Sequence, residues 1–221
     1  MTHEVTLLMS GFVTHDVRRF IVSRPDGFEC EPGQGVELAI DHPDWREEGR
    51  PFTPTSLDDD RVLEFTIKAY PAHNGVTQAL HALEPGARLL MSDPFGTIRY
   101  KGPGVFIAGG AGITPFIAIL RRLARDDDLE GQSLVFSNKT PADVIVEKEL
   151  RHMLRERCVL TCTEEEAPGY ENRRIDRDFL SAHIEDFGQH FYVCGPPEFN
   201  ESVNDALKDL GASPDLLVFE A

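Results

Sequence analysis

A change of pattern near residue 100 constrains this chain more than any other feature. Before it, short β-type runs alternate with turn signals; after it, strands alternate with helices. The first half reads as strands over Glu4–Leu8, Val17–Ser23, Gly35–Ile40, Val62–Tyr70 and Arg88–Ser92. Val62–Lys68 (VLEFTIK) alternates apolar and polar residues as a half-buried strand does. Asp26-Gly27, Pro32-Gly33 and Pro85-Gly86 punctuate the gaps as turns. Several short strands with Gly/Pro turns predict a small antiparallel barrel, with one short helix at Thr77–Leu83 capped by Thr77. Lys101-Gly102-Pro103-Gly104 reads as a linker. Beyond it the spacing predicts strands at Gly104–Ala108, Ser133–Ser137, Val159–Thr163, His190–Cys194 and Leu216–Phe219. Helices are expected at Pro115–Arg125, Val144–Arg155, Asp178–His183 and Pro197–Leu210, the last stopped by Gly211. Strands separated by helices imply a parallel sheet. The chain is therefore expected to form two domains, an antiparallel β-barrel over 1–100 and an α/β parallel-sheet domain over 101–221.

The 221 residues suffice for two modest cores, and 41% apolar with 27% charged residues is ordinary globular composition. The formal net charge of −16 argues against nucleic acid or an anionic membrane as partner, since these are polyanions. Asp58-Asp59-Asp60, Asp126-Asp127-Asp128 and Glu164-Glu165-Glu166 read as solvated loops. No apolar run has the length of a membrane span, and the start Met1-Thr2-His3-Glu4 lacks a secretory pattern, so the reading is cytoplasmic. Cysteines at 30, 158, 162 and 194 match neither an iron–sulfur nor a zinc spacing; no metal centre and no structural disulfide are expected.

Four segments bear on chemistry, each with a structural alternative. Gly109-Gly110-Ala111-Gly112-Ile113-Thr114-Pro115 follows a strand and opens a helix, so its free N–H groups and the helix dipole suit a pyrophosphate. It is not the G-x-G-x-x-G fingerprint, and such a turn is as often structural. Arg50-Pro51-Phe52-Thr53 offers a cation, an aromatic face and a hydroxyl, yet by itself suits a surface Arg beside a core Phe. Gly75-Val76-Thr77 is a second helix start where phosphate can sit, though any capped helix resembles it. Cys194-Gly195-Pro196-Pro197 ends a strand at the carboxyl edge of the parallel sheet, where ligands bind in open α/β folds, but a strand-end Cys is commonly a small buried residue.

In this order and spacing, the four segments resemble the ferredoxin–NADP reductase superfamily, nearest its cytochrome b5 reductase-like and bacterial flavodoxin/ferredoxin reductase branches. The resemblance spans about Val5 to Phe219. It implies a flavin-binding barrel followed by a pyridine-nucleotide domain. By similarity Arg50 holds a flavin phosphate, Phe52 packs on the isoalloxazine in place of the commoner Tyr, and Thr53 hydrogen-bonds near the flavin N5. Thr66, Lys68 and Tyr70 match positions along the ribityl and phosphate portion, and Gly75, Val76 and Thr77 the pyrophosphate-binding helix start. Gly110, Gly112, Thr114 and Pro115 match the nucleotide-binding turn. Cys194 and Gly195, shaped by Pro196 and Pro197, match the pair beside the nicotinamide. Phe219 is the candidate for the aromatic that borders the flavin.

The implied activity is an NAD(P)H-dependent flavin oxidoreductase that passes hydride from nicotinamide to bound FAD and electrons to a separate ferredoxin, flavodoxin or haem protein. FAD is favoured over FMN because the barrel offers two phosphate sites. Two alternatives stand beside it: reduction of free flavin or ferric chelates, and a non-catalytic flavin-binding electron-transfer subunit of a larger complex. NADH is favoured over NADPH. In relatives that use NADPH a Ser-Arg pair grips the 2′-phosphate after the third strand of the nucleotide domain, where this chain has Leu160-Thr161-Cys162-Thr163-Glu164-Glu165-Glu166, with a Glu about where that Arg would be. Arg173 and Arg174 are the candidate replacement cations.

Overall fold

The computed structural model describes residues 2–70, 75–96 and 98–219; for Thr2 and Phe219 it describes the backbone only. Six antiparallel strands form the first sheet: β1 (Thr2–Phe12), β2 (Val17–Ser23), β3 (Val36–Ile40), β4 (Arg50–Phe52), β5 (Val62–Lys68) and β6 (Arg88–Ser92). Their order is β4-β3-β6-β1-β2-β5. A bridge between Pro54, just after β4, and Phe65 on β5 brings the two edges together into a nearly closed barrel. Val5, Leu7, Phe20, Val22, Leu38, Leu63, Phe65, Ile67, Leu89 and Met91 fill it.

The second sheet is parallel, with strands β7 (Gly104–Gly109), β8 (Ser133–Asn138), β9 (Cys158–Cys162), β10 (His190–Cys194) and β11 (Leu217–Phe219) in the order β11-β10-β7-β8-β9. Alternation along each strand serves two cores. Phe106, Ala108, Leu134 and Phe136 pack with α2 (Thr114–Arg125) and α3 (Glu147–Leu154), while Val105, Ile107 and Val135 pack with α4 (Arg177–His183) and α5 (Pro197–Asp209). The chain leaves β7 for β8 and β9, then returns to the other side for β10 and β11. Ligands bind at the carboxyl ends of the strands flanking such a reversal.

Several boundaries differ from the sequence reading, each for a physical reason. β1 runs to Phe12 because it changes partners: Thr2–Thr6 pair with β6 and Leu7–Phe12 with β2, with a register shift between Leu7 and Met9 that breaks the alternation. Arg50–Phe52, not among the expected strands, is strand β4; Pro51 is tolerated because the strand lies at the sheet edge. The short helix α1 (Val76–His81) is capped by Gly75, not by Thr77, and no side-chain bond caps it. The helix expected from Val144 starts at Glu147, since Val146 has a left-handed φ of 46° and acts as its N-cap. The connection at Lys101–Gly102 is held in place: both N–H groups donate to Tyr192 Oη, which donates to the Gly102 carbonyl at 2.7 Å.

The acidic run at 58–60 is also more than a solvated loop. Asp58 pairs with Arg122 and Arg125, and Asp59 with Arg125, so the barrel and α2 meet across a row of ion pairs. Val17 and Ile98 of the barrel half join the core beneath α2. None of the helices in the described residues is long and apolar enough to cross a membrane.

Candidate functional site

The turn after β7 has the local chemistry that its sequence predicts. Gly110 takes φ +53°, a left-handed conformation that glycine adopts without the steric penalty of a Cβ, and a methyl there would face open space. A 3₁₀ turn over Gly110–Ile113 then leads into α2, with Pro115 in the first helical turn. The first N–H groups of a helix lack intrahelical acceptors, so this end suits an anion. Gly112 meets a second demand, close approach. A Cβ on it would stand 2.5 Å from the Cys194 carbonyl carbon and 2.7 Å from the Gly195 nitrogen, so the turn sits directly on the end of β10.

That contact closes one side of a cleft of about 730 Å³ between the barrel and the parallel sheet. Phe52, Thr53, Thr66, Lys68, Tyr70 and Thr77 line it from the barrel. Gly110, Gly112, Thr114, Pro115, Asn138, Lys139, Thr163, Cys194, Gly195 and Pro196 line it from the sheet. Thr53, Thr66 and Cys194 are all buried, at 7%, 6% and 4% exposure, so the cleft has fixed walls. Four candidates stand off this wall. Arg50 lies outside it, its guanidinium on Glu48 at 3.1 Å and on the Gly49 carbonyl. Gly75 caps α1, and Val76 turns its side chain into the barrel core. The backbone of Phe219 pairs with Val193, beside Cys194, and its side chain lies outside the described residues.

Two lysines in the cleft are already paired. Lys68 Nζ lies 2.9 Å from Asp16, whose carboxyl burial would push up but whose bond with Lys68 holds below its usual range. His15, Asp16 and Asp143 bring ligand atoms within 4.8 Å of one another, and there the Lys68 ammonium supplies the positive charge. Lys139 Nζ lies 3.2 Å from Glu164. Arg173 is turned to Asp176 at 3.1 Å and over the Phe179 ring.

Two site residues escape a reading of the sequence. Phe199 of α5 packs its ring against Gly109 and Gly195; a Cβ on Gly195 would stand 2.5 Å from it. Its place five residues beyond Cys194 is a faint signal, because α5 carries other apolar residues. Asn138 ends β8, is 6% exposed, and has neither Nδ2 nor Oδ1 bonded among the described residues. Buried amides nearly always find partners, so an orphan in the wall of a cleft suits a polar ligand. With the glycine cradle and the hydroxyls opposite, this donor set fits a dinucleotide on the sheet side. The Phe52 ring and the threonine hydroxyls fit a polar heteroaromatic group on the barrel side.

The oxidoreductase FAD-binding domain model matches residues 4–100, and the oxidoreductase NAD-binding domain model matches residues 106–205. The chain is 27% identical over 239 residues to the ferredoxin–NAD(P)(+) reductase component of the naphthalene 1,2-dioxygenase system of Pseudomonas putida, covering 100% of this chain and 70% of that protein. It is 28% identical over 207 residues to NADH-cytochrome b5 reductase 2 of Rattus norvegicus, covering 76% and 75%. Its fold matches the flavohem-like FAD/NAD binding domain of nitric oxide dioxygenase from Vibrio cholerae with a TM-score of 0.87 at 20% identity, over 98% and 97% of the two chains. With a FAD-binding barrel and an NAD-binding sheet in series around one cleft, the chain belongs to the ferredoxin–NADP reductase superfamily and is an NAD(P)H-dependent flavin oxidoreductase.

Proposed function

We propose that the protein draws electrons from NADH in preference to NADPH and delivers them, through FAD, to a separate carrier protein of the ferredoxin, flavodoxin or haem class. The observation that carries this reading is the single cleft bounded by Phe52, Thr53 and Thr66 on one side and by Gly110, Gly112 and Cys194 on the other. Two planar rings stacked in that space would lie within reach of direct transfer. The flavin, when bound, supplies the hydride acceptor and the onward electron donor, and the protein supplies geometry.

Phe52 offers a stacking face, and Thr53 and Thr66 offer hydroxyls at the ring edge and side chain. Lys68, Tyr70 and the backbone of Gly75, Val76 and Thr77 receive the phosphate end. Arg50 joins them by leaving Glu48, an exchange between exposed groups that costs at most about 1 kcal/mol. Gly110, Gly112, Thr114 and Pro115 receive the dinucleotide pyrophosphate on the helix end. Cys194, with Gly195 and Pro196, walls the nicotinamide subsite by packing, and Phe219, whose backbone pairs with Val193, is the candidate aromatic at that end. The transfer requires no proton from a side chain, so Cys194 orients and does not react.

The preference for NADH rests on Glu164. Its carboxylate holds the Lys139 ammonium, so a 2′-phosphate at this end of the cleft meets a neutralised cation and a negative neighbour. A free ribose hydroxyl meets an acceptor instead. Arg173, engaged by Asp176, faces elsewhere. The acceptor class follows the relatives, whose names specify ferredoxin and cytochrome b5.

The test is kcat/KM for both nucleotides with ferricyanide, then with a ferredoxin, a flavodoxin and cytochrome b5, on protein whose flavin has been identified by chromatography. A clear NADPH preference overturns the nucleotide assignment. Released FMN overturns the flavin assignment. Turnover with free flavin or ferric chelates but with none of the carriers overturns the acceptor.

A further inference from the structure

Arg121 lies on α2, seven residues beyond Thr114 at the start of the helix. Its guanidinium is only 18% exposed, yet it reaches three elements. Nη1 donates at 2.7 Å to Glu64 Oε1 on β5 and at 2.7 Å to the Thr55 carbonyl just after β4. Nε and Nη2 form a two-pronged bond to Glu149 on α3, at 2.6 and 2.9 Å. One side chain therefore ties the nucleotide domain to itself through Glu149 and to the barrel through Glu64.

The barrel side of this junction continues to the cleft. Thr55 Oγ1 donates to Glu64 Oε1 at 2.8 Å and lies 3.2 Å from Thr66 Oγ1. The Thr55 proton is held by a carboxylate, so the Thr66 hydroxyl must donate to Thr55. This leaves the Thr66 oxygen as an acceptor in the cleft wall. Burial pushes the Glu64 carboxyl up, but Arg121 and Thr55 outweigh it and keep the carboxyl ionised below its usual range. The other Glu64 oxygen lies 3.3 Å from Arg19 on β2, so loss of Arg121 would leave the carboxylate one more exposed partner but sever its tie to α2. The chain Arg121–Glu64–Thr55–Thr66 thus runs from the helix behind the glycine turn to a hydroxyl of the opposite wall.

We infer that Arg121 is a positioning residue for hydride transfer: through Glu64 it sets the spacing and register between the glycine turn and the flavin-facing threonines. The inference rests on the assignment of the two cleft walls given above. Glu149 provides the internal control. It bonds the same guanidinium but stays within one domain, so it contributes stability without spanning the cleft.

The experiment is stopped-flow reduction of the flavin by saturating NADH, with dinucleotide and flavin dissociation constants measured separately, on wild type, Arg121→Met, Glu64→Gln and Glu149→Gln. A misplacement of the rings by about 1 Å slows transfer by up to about a hundredfold, so Arg121→Met and Glu64→Gln are expected to slow reduction at least about tenfold with dissociation constants within about threefold of wild type. Glu149→Gln is expected to lower the melting temperature and to stay within about twofold of the wild-type rate. The double variant Arg121→Met/Glu64→Gln should be no slower than the slower single variant, since Arg121→Met already removes the bond that Glu64→Gln weakens, along with the one to the Thr55 carbonyl. Unchanged reduction in folded Glu64→Gln overturns the inference, as does a Glu149→Gln rate as low as that of Glu64→Gln. Should Arg121→Met fail to fold, the contrast between the two glutamates decides alone. Wild-type flavin that neither nucleotide reduces would refute the assignment of the cleft walls rather than the role of Arg121.

Discussion

Gly112→Ala isolates the contact that joins the glycine turn to β10. The added methyl would meet the Cys194 carbonyl oxygen first, then its carbon at 2.5 Å and the Gly195 nitrogen at 2.7 Å. The first two are backbone atoms at the end of the buried strand β10 and the third is the backbone nitrogen of the next residue, so no side chain can rotate away. Restoring ordinary contact requires the turn to withdraw from Cys194 by about 1 Å, and overpacking of this kind costs about 1–3 kcal/mol. The displacement acts where the dinucleotide is aligned, and a shift of about 1 Å lowers a transfer rate by up to about a hundredfold. Stopped-flow flavin reduction at saturating NADH is therefore expected to slow by about ten- to a hundredfold. The flavin spectrum should stay as in wild type, because Phe52, Thr53 and Thr66 lie on the other wall. Gly110→Ala is the companion: its methyl meets nothing within 4 Å, so its effect is backbone strain at φ +53° together with obstruction of the cradle. A Gly112→Ala protein that keeps both wild-type stability and wild-type reduction would refute the close approach and its role in alignment.

Cys194→Ala should slow flavin reduction at saturating nucleotide while leaving the flavin spectrum unchanged; an unaltered rate would make Cys194 a core residue only. Asn138→Leu removes two orphaned amide atoms, so the free protein is expected to melt at the same temperature or a few degrees higher, while the NADH dissociation constant rises. A lower melting point with unchanged NADH affinity would contradict the assignment of Asn138 to the ligand. Glu64 is held below its usual value in the folded chain, so its stabilising contribution is complete above about pH 4.5 and is lost as the pH falls through the folded value. Acid-unfolding curves of Glu64→Gln should lack that part of the pH dependence, and identical curves would disprove it. Burial pushes the thiols of Cys30, Cys158 and Cys162 up to about 11, so alkylation at pH 8 should be slow in the native protein and fast after unfolding, as read by mass spectrometry.

The residues legible in advance are those whose local chemistry is self-sufficient. A glycine needed at positive φ, a proline in a first helical turn and a period-2 strand such as Val62–Lys68 each answer a constraint within a few neighbouring residues. The barrel strands, the parallel sheet and the form of the Gly109–Pro115 turn are legible for that reason, whereas Phe52 and Thr53 stand out only through the family resemblance. Strand β4 is not, because Pro51 argues against a strand unless the sheet edge is known. Nor is the start of α3, where Val146 takes a left-handed φ that no β-branched residue advertises.

The charges show the division most clearly. In the sequence, Asp58-Asp59-Asp60 and the arginines of α2 are two unrelated runs, some sixty residues apart. Folding places Arg122 on Asp58, Arg125 on Asp59 and Arg121 on Glu64, and makes of them the seam between barrel and sheet. Asn138 carries no motif, and only its burial without a partner marks it. Propensity and turn chemistry act over a few residues, so the order of residues determines the elements and the glycine cradle. Pairing of distant charges and the emptiness around a buried amide depend on which elements pack together, and the tertiary structure alone decides them.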